Sequence, residues 1–330
     1  MRRLSALRRL PYFGRRFWRD ATNPLRYVAE TEDVHGACLG RYYLLFDEAE
    51  LKRGGSRDFH FDDEAIPIVP TNVDVEPRRM HYCPVAIGQY ALAIFHSWLR
   101  SAQEDDRRRF LRLADWFVEH QAKDGCWYVH TEVMVYRLRP PWPSAMAQSR
   151  GLSVLARAWQ STGVERYIEG ARRALAAFAR PLEQGGVAGT HDERITYEEY
   201  PAQPSPHVLN GSIFALFGLW DMARALPGDG RAAALFERGA ATVETLLPRY
   251  DTGWWSLHDL YHLHAGTPRN PCTAHYHDIH IKQLTVLHAI TGREPFAAVA
   301  RRWAAYQQSA TGRVRAYAGK ARLIARRRLA

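Results

Sequence analysis

A chain of 330 residues that is 46% hydrophobic and 12% aromatic has ample material for a large core, which excludes a disordered or fibrous protein. Its formal net charge of +10 is unevenly placed: residues 1–20 carry seven arginines against Asp20, and residues 311–330 carry seven lysines and arginines with no acid. The four cysteines, Cys38, Cys83, Cys126 and Cys272, lie far apart with no CxxC pair, which argues against a disulfide scaffold or a thiolate zinc site and predicts a reducing, cytoplasmic location.

Residues 1–70 read as a basic N-terminal arm and an irregular lead-in. The arm is basic throughout and never reaches an uncharged apolar run, so no signal peptide is expected. Two readings of the basic ends stand together: solvated helix ends or an oligomer contact, and peripheral attraction to an anionic inner membrane or an acidic polymer. No nucleic-acid motif accompanies them, and no such partner is expected. The stretch LKRGGSRDFHFDDEAIP reads as an exposed loop, and Pro70, Pro77 and Pro84 keep the following segment extended.

From Pro84 the pattern turns helical, with Ile87, Tyr90, Ala91, Ile94 and Trp98 at three- and four-residue steps. This longest apolar stretch contains Gln89 and His96 and is short for a membrane span. Further helices are predicted near 106–122, 144–161, 164–180, 206–225, 229–247, 278–291 and 293–309, so that residues 71–310 form one helical domain and 311–330 a basic C-terminal tail. Short and long connections alternate. Antiparallel neighbours put successive connections at opposite ends, so the long ones, near 123–143, 181–205 and 248–277, should share one end. The expected fold is therefore mainly α: an (α/α) barrel or toroid of helical hairpins, with long loops on one face and a small β-hairpin over Trp127–Arg139.

The third long loop concentrates the chemistry. Between Leu247 and Leu284 lie six of the fifteen histidines: His258, His262, His264, His275, His277 and His280. Their spacing brings imidazoles close, yet there is no HExxH pattern and no helical pair with an evident third ligand, so no metal is expected. Glu198, Glu199, Asp192, Glu193, Asp251 and Asp259 could supply a glycosidase carboxylate pair, with Trp127, Trp142, Trp254 and Trp255 stacking on sugar rings or simply packing beneath the loops. A third chemistry uses tyrosines on opposite sides of a substrate, Tyr200 and Tyr276, to remove a proton from one face and return it to the other. On residue chemistry alone it ranks level with the glycosidase.

Four collinear stretches, PPWPSAMAQSRGLSVLARAW (140–159), EEYPAQPSPHVLNGSIFALFGLWD (198–221), LPRYDTGWWSLHDL (247–260) and HYHDIHIKQL (275–284), resemble the C-terminal helical domain of D-glucuronyl C5-epimerases, and residues 72–92 resemble its lead-in. The resemblance implies an (α/α) barrel, in a homodimer, that converts D-glucuronyl to L-iduronyl residues in a heparosan- or heparan-like acidic polysaccharide, without a cofactor. It implies catalytic roles for Tyr200, Tyr276 and Glu199, and scaffold roles for His277 and His280. His258 stands where the family pattern YDTG…IYDLR has a tyrosine, and Tyr261 where it has an arginine. His258 is thus the candidate third catalytic group, and Arg150, Arg194 or Arg139 is left to meet the substrate carboxylate. Asn210, Tyr250, Asp251 and Tyr261 are expected to shape the site. The alternatives are a uronate polysaccharide lyase sharing the first proton abstraction, and a non-catalytic glycan-binding relative.

Overall fold

The computed structural model describes residues 14–15, 18, 27–46, 48–52, 60–72, 75 and 77–327. Most of the predicted basic arm lies outside these residues. Among the described residues the fold is mainly helical, with four small antiparallel sheets. A lead-in of short elements comes first: β1 (Val28–Ala29) pairs with β2 (Leu44–Leu45), α1 spans Glu48–Lys52, and β3 (His60–Phe61), β4 (Pro67–Pro70) and β5 (Met80–Tyr82) form one sheet in that order.

Eight helices follow in hairpins. They are α2 (Pro84–Ser101), α3 (Glu104–Glu119), α4 (Ala145–Thr162), α5 (Glu165–Ala179), α6 (Leu209–Ala225), α7 (Gly230–Tyr250), α9 (Ala274–Thr291) and α10 (Glu294–Gln308); a short α8 (His262–Ala265) lies within the third long loop. α2, α4, α6 and α9 are neighbours in that order and form the inner layer, each backed by the helix that follows it. β1 lies against α9 and α1 against α2, the first and last inner helices. The inner helices are apolar on almost every face, as double-sided burial requires: α6 buries Leu209, Ile213, Phe214, Leu216, Phe217, Leu219 and Met222. The outer helices are amphipathic; α3 buries Phe110, Leu113, Ala114, Trp116 and Phe117 and turns its arginines outward.

Local sequence signals account for the ends. Ser144 caps α4 through its side chain, and Gly163, at φ 71°, closes it in the left-handed region. Thr273 caps α9 by accepting from the Tyr276 amide, so the helix begins four residues before the expected 278. Tyr276 and His277 therefore sit in its first turn rather than in a loop. α7 continues through Pro248 to Tyr250, which shortens the third loop at its other end. The predicted C-terminal tail is also helical: α11 spans Ala310–Arg327, buries Ala316 and Leu323, and bonds Lys320 to Asn270 of the third loop.

The three long loops share one end, as the alternation of connections requires. The first contains a hairpin whose second strand lies beyond the expected Trp127–Arg139: β6 (Tyr128–Val129) pairs with β7 (Trp142–Pro143), with a 3-10 turn between them. The second contains a hairpin not foreseen in the sequence, β8 (Ala188–His191) with β9 (Arg194–Tyr197), turning through Asp192 and Glu193 at positive φ. No helix among the described residues is long and apolar enough to cross a membrane.

Candidate active site

The loops are laced together through each other's helix ends. The Glu198 carbonyl accepts from the first amide of α4 at 2.9 Å, and the His258 carbonyl from the first amide of α6 at 3.2 Å. An aromatic cluster joins all three loops: Tyr136 and Trp142 of the first, Tyr200 of the second and Tyr261 of the third, with ring centroids 5.0 Å (Tyr136–Tyr200), 5.6 Å (Trp142–Tyr200) and 5.2 Å (Tyr136–Tyr261) apart. The Tyr136 hydroxyl donates to the buried Asp259 carboxylate at 2.9 Å. Because each long loop feeds an inner helix, the N-termini of α4, α6 and α9 all lie at this end, and their partial positive charges suit an anionic ligand.

Within this frame the four candidate catalytic side chains, Glu199, Tyr200, His258 and Tyr276, are all half-buried, while their chain neighbours Glu198, Asp259, His275 and His277 are buried. The two adjacent glutamates divide by the alternation of an extended segment. Glu198 turns inward, where its carboxylate accepts from Thr196 at 2.7 Å and from the His207 ring at 2.6 Å. Glu199 turns to the other side and lies over Gly211 in the first turn of α6, where any Cβ would collide with it. The rings of His258 and Tyr276 meet at 5.0 Å, inclined by 69°.

His277 and His280 are scaffold. His277 stacks on Trp255 at 3.9 Å, donates from Nε2 to the Trp303 carbonyl at 3.0 Å and accepts at Nδ1 from the Ser256 amide, which leaves the ring one neutral tautomer. Burial pushes its pKa down to about 4 and that of His280 to about 3. Trp127, Trp142 and Trp255 are likewise buried under the loops, leaving Trp254 as the only half-buried member of the four tryptophans considered for stacking.

The expected substrate-contacting residues separate. Arg150 is wholly buried on α4: its guanidinium bonds the Tyr42 hydroxyl and lies against the faces of Tyr42, Phe46 and Phe214, so in this conformation it touches no solvent-borne ligand. Tyr250 is buried, donating its hydroxyl to the His207 carbonyl at 2.6 Å. Asp251 binds the Gly253 amide and Arg302, closing α7. Asn210 is a buried first-turn residue of α6 whose backbone carbonyl accepts from Gln283, bracing the helix start, while Val208 holds the capping position without a side-chain bond. Tyr261 packs within the aromatic cluster, and Arg194 is exposed at the turn of the second loop's hairpin.

Two features went unread in the sequence. One is Tyr136, which sits between Tyr200 and Tyr261 and carried no motif. The other is a convergence of His191, His207 and His264, each offering a ring nitrogen within 4.8 Å of the others. Local spacing grouped His264 with His258 and His262 instead. The shared end of the loops was the signal that could have joined it to the second loop's histidines.

Residues 120–305 match the sequence family described as the D-glucuronyl C5-epimerase C-terminus. A D-glucuronyl C5-epimerase of Caenorhabditis elegans is 36% identical over 219 residues, 62% of this chain, and the chain spans only 36% of that protein's length. An uncharacterized protein of Methanocaldococcus jannaschii is 28% identical over 253 residues, covering 72% of this chain and 76% of its own. Among solved structures, an unsaturated glucuronyl hydrolase from Bacillus sp. GL1 aligns over 67% of this chain and 61% of its own, at 16% identity and a TM-score of 0.45, too loose a likeness to inform the chemistry.

Proposed function

The chain belongs to the family of the D-glucuronyl C5-epimerase C-terminus, and from that premise we propose that it inverts C5 of glucuronyl residues in an acidic, heparosan- or heparan-like polysaccharide. The observation that carries this reading is the meeting of His258 and Tyr276, half-buried and 5.0 Å apart, at the end where three inner-helix N-termini converge. The C5 hydrogen is α to the uronate carboxylate, so its removal leaves an enolate-like dianion. Preorganised positive dipoles at the site lower the energy of that charge as it forms.

Tyr276 projects from the first turn of α9, and Tyr200 from the second loop beside Trp142. One phenolic oxygen takes the C5 proton from one face of the ring, and the other returns a proton to the opposite face. The exchange is a net isomerisation: no electrons leave the substrate and no bond to the neighbouring sugar breaks. His258, against Tyr276 and standing where the family pattern has a tyrosine, takes up the phenolic proton that the base form must lose. Glu199, fixed over Gly211 beside Tyr200, holds or relays the proton on the other side.

Incubation with an unsulfated or N-sulfated heparosan polymer in deuterated water tests the reading. Deuterium at C5, iduronyl signals and chains of unchanged length support it. Unsaturated uronate ends with shortened chains replace it by a lyase, and binding without exchange replaces it by a glycan-binding role.

A further inference from the structure

Three imidazoles on two of the long loops form a site that the proton-transfer chemistry does not use. His191 ends β8, His207 precedes α6, and His264 lies on α8. Their ring centroids are separated by 4.9 Å (His191–His207), 5.7 Å (His191–His264) and 6.0 Å (His207–His264). We propose that His191, His207 and His264 bind one divalent transition-metal ion of the zinc class, which fastens the second long loop to the third.

The donor set and its support fit such an ion. One nitrogen from each ring lies within 4.8 Å of the others; around a tetrahedral ion with Zn–N bonds of about 2.0–2.1 Å the donors stand about 3.4 Å apart, so a modest inward movement completes the triangle. His264 is exposed on a four-residue helix and is the member able to move. His207 is already oriented. Its Nδ1 donates to Glu198 at 2.6 Å, which leaves Nε2 as a lone-pair donor, and a carboxylate behind a ligating imidazole is the usual outer support of a zinc site. Its backbone is held at φ 49°, uncommon for a non-glycine residue, by the Glu198 carboxylate on its amide and the Tyr250 hydroxyl on its carbonyl.

His191 is 5% exposed and its buried Nε2 has no hydrogen-bond partner; the Asp192 carboxylate stands off at 3.6 Å and bonds Arg249 instead. A buried ring nitrogen without a partner is costly, and a metal ion bound at that nitrogen removes that cost. Three nitrogen donors favour zinc, copper or nickel over calcium or magnesium, which require oxygen. With three protein ligands, a tetrahedral ion takes water or a nearby carboxylate as its fourth ligand.

The inference rests on these imidazoles and not on the proposed reaction, so its test reads metal directly. Protein without a polyhistidine tag is stripped with a chelator, dialysed against Zn²⁺ and analysed for bound metal; Co²⁺ serves as a spectroscopic substitute. The expected result is one zinc per chain, a raised melting temperature on zinc addition, and the intense visible bands of tetrahedral cobalt. His264→Ala removes an exposed side chain and leaves the metal-free protein folded, as its circular dichroism checks, while zinc affinity falls at least about tenfold. His191→Gln should act in the same direction. Less than a tenth of an equivalent bound by the folded wild-type chain, or zinc retained undiminished by both variants, overturns the proposal.

Discussion

The two ends of the helical array are built from opposite materials. At the end away from the long loops, residues 34–40 of the lead-in lie over the C-terminal halves of α4, α6 and α9. The Trp220 indole donates to the Val34 carbonyl, Arg224 to Gly36, Gln160 to Ala37, and His35 meets the Ala289 carbonyl. Helix C-termini concentrate negative partial charge, and here they receive Arg157 and Arg224. Arg157 and Asp221 are both fully buried and paired at 2.6 Å, with the Tyr43 hydroxyl donating to the same carboxylate at 2.8 Å. At the loop end the helix N-termini converge, and the candidate groups Glu199, Tyr200, His258 and Tyr276 stay half-exposed. The difference teaches that a charge enclosed with its partner holds a fold together, whereas a polar group at a partly open, positively polarised mouth is placed to meet a ligand.

The sharpest way to break this division is to remove chemistry from the open end without disturbing packing. Tyr276→Phe keeps the ring against His258 and deletes only the hydroxyl. Exchange of C5 hydrogen should fall by about 10²–10⁴-fold, the range for loss of a positioned acid or base, with the melting temperature unchanged. Exchange at the wild-type rate would remove Tyr276 from the reaction. The complementary change at the closed end is Asp221→Ala, which strands Arg157 and the Tyr43 hydroxyl in the core. It should lower unfolding free energy by about 3–5 kcal/mol in urea titrations while the folded fraction keeps its exchange rate.

How much of this was legible before the structure differs between the two ends. The helical hairpins and the shared face of the loops followed from three- and four-residue apolar periodicity and from alternating connection lengths, both of which are local signals. The start of α9 was missed because Thr273, a capping residue, lies inside a histidine- and tyrosine-rich run with little apolar pattern. The β8–β9 hairpin was missed because its turn uses Asp192 and Glu193 where a glycine would have announced positive φ. The charge of Arg150 suits a substrate carboxylate, but that Tyr42, Phe46 and Phe214 enclose its guanidinium is a long-range fact no spacing reveals. The same holds for the convergence of His191 with His264.

Acid should weaken both ends together, through histidines buried in neutral form. Burial lowers His277 to about 4 and His280 to about 3 at the open end, and lowers His96, whose Nε2 accepts the Tyr42 amide, to about 3. In the unfolded chain each protonates near ~6.5, so below that pH the unfolded state binds more protons. The stability from these neutral rings is fully present above about pH 6.5 and falls as pH drops toward their folded-state values. The slope per group is about 1.4 kcal/mol per pH unit. Urea midpoints measured from pH 7 to 5 check the sign, and His277→Phe should flatten the slope by about one group's share. A stability that rises on acidification over this interval would contradict the neutral assignment of His277.

The smallest effect belongs to the short connections, which do nothing but end helices. Gly163 terminates α4 at φ 71° with open space around its missing Cβ, so Gly163→Ala meets no clash and suffers only the backbone preference. An alanine held in the left-handed region costs about 1–2 kcal/mol. The expected loss of stability is of that order, with C5 exchange and zinc binding both unchanged, because the turn joins α4 to α5 at the end opposite the long loops. Gly211→Ala supplies the contrast within the same residue type. There the added methyl has no open space and drives into Glu199, so the change should reduce exchange as well as stability. If both glycine variants lost stability alone, Glu199 would have no part in the reaction, and the division between the two ends would rest on Tyr200, His258 and Tyr276.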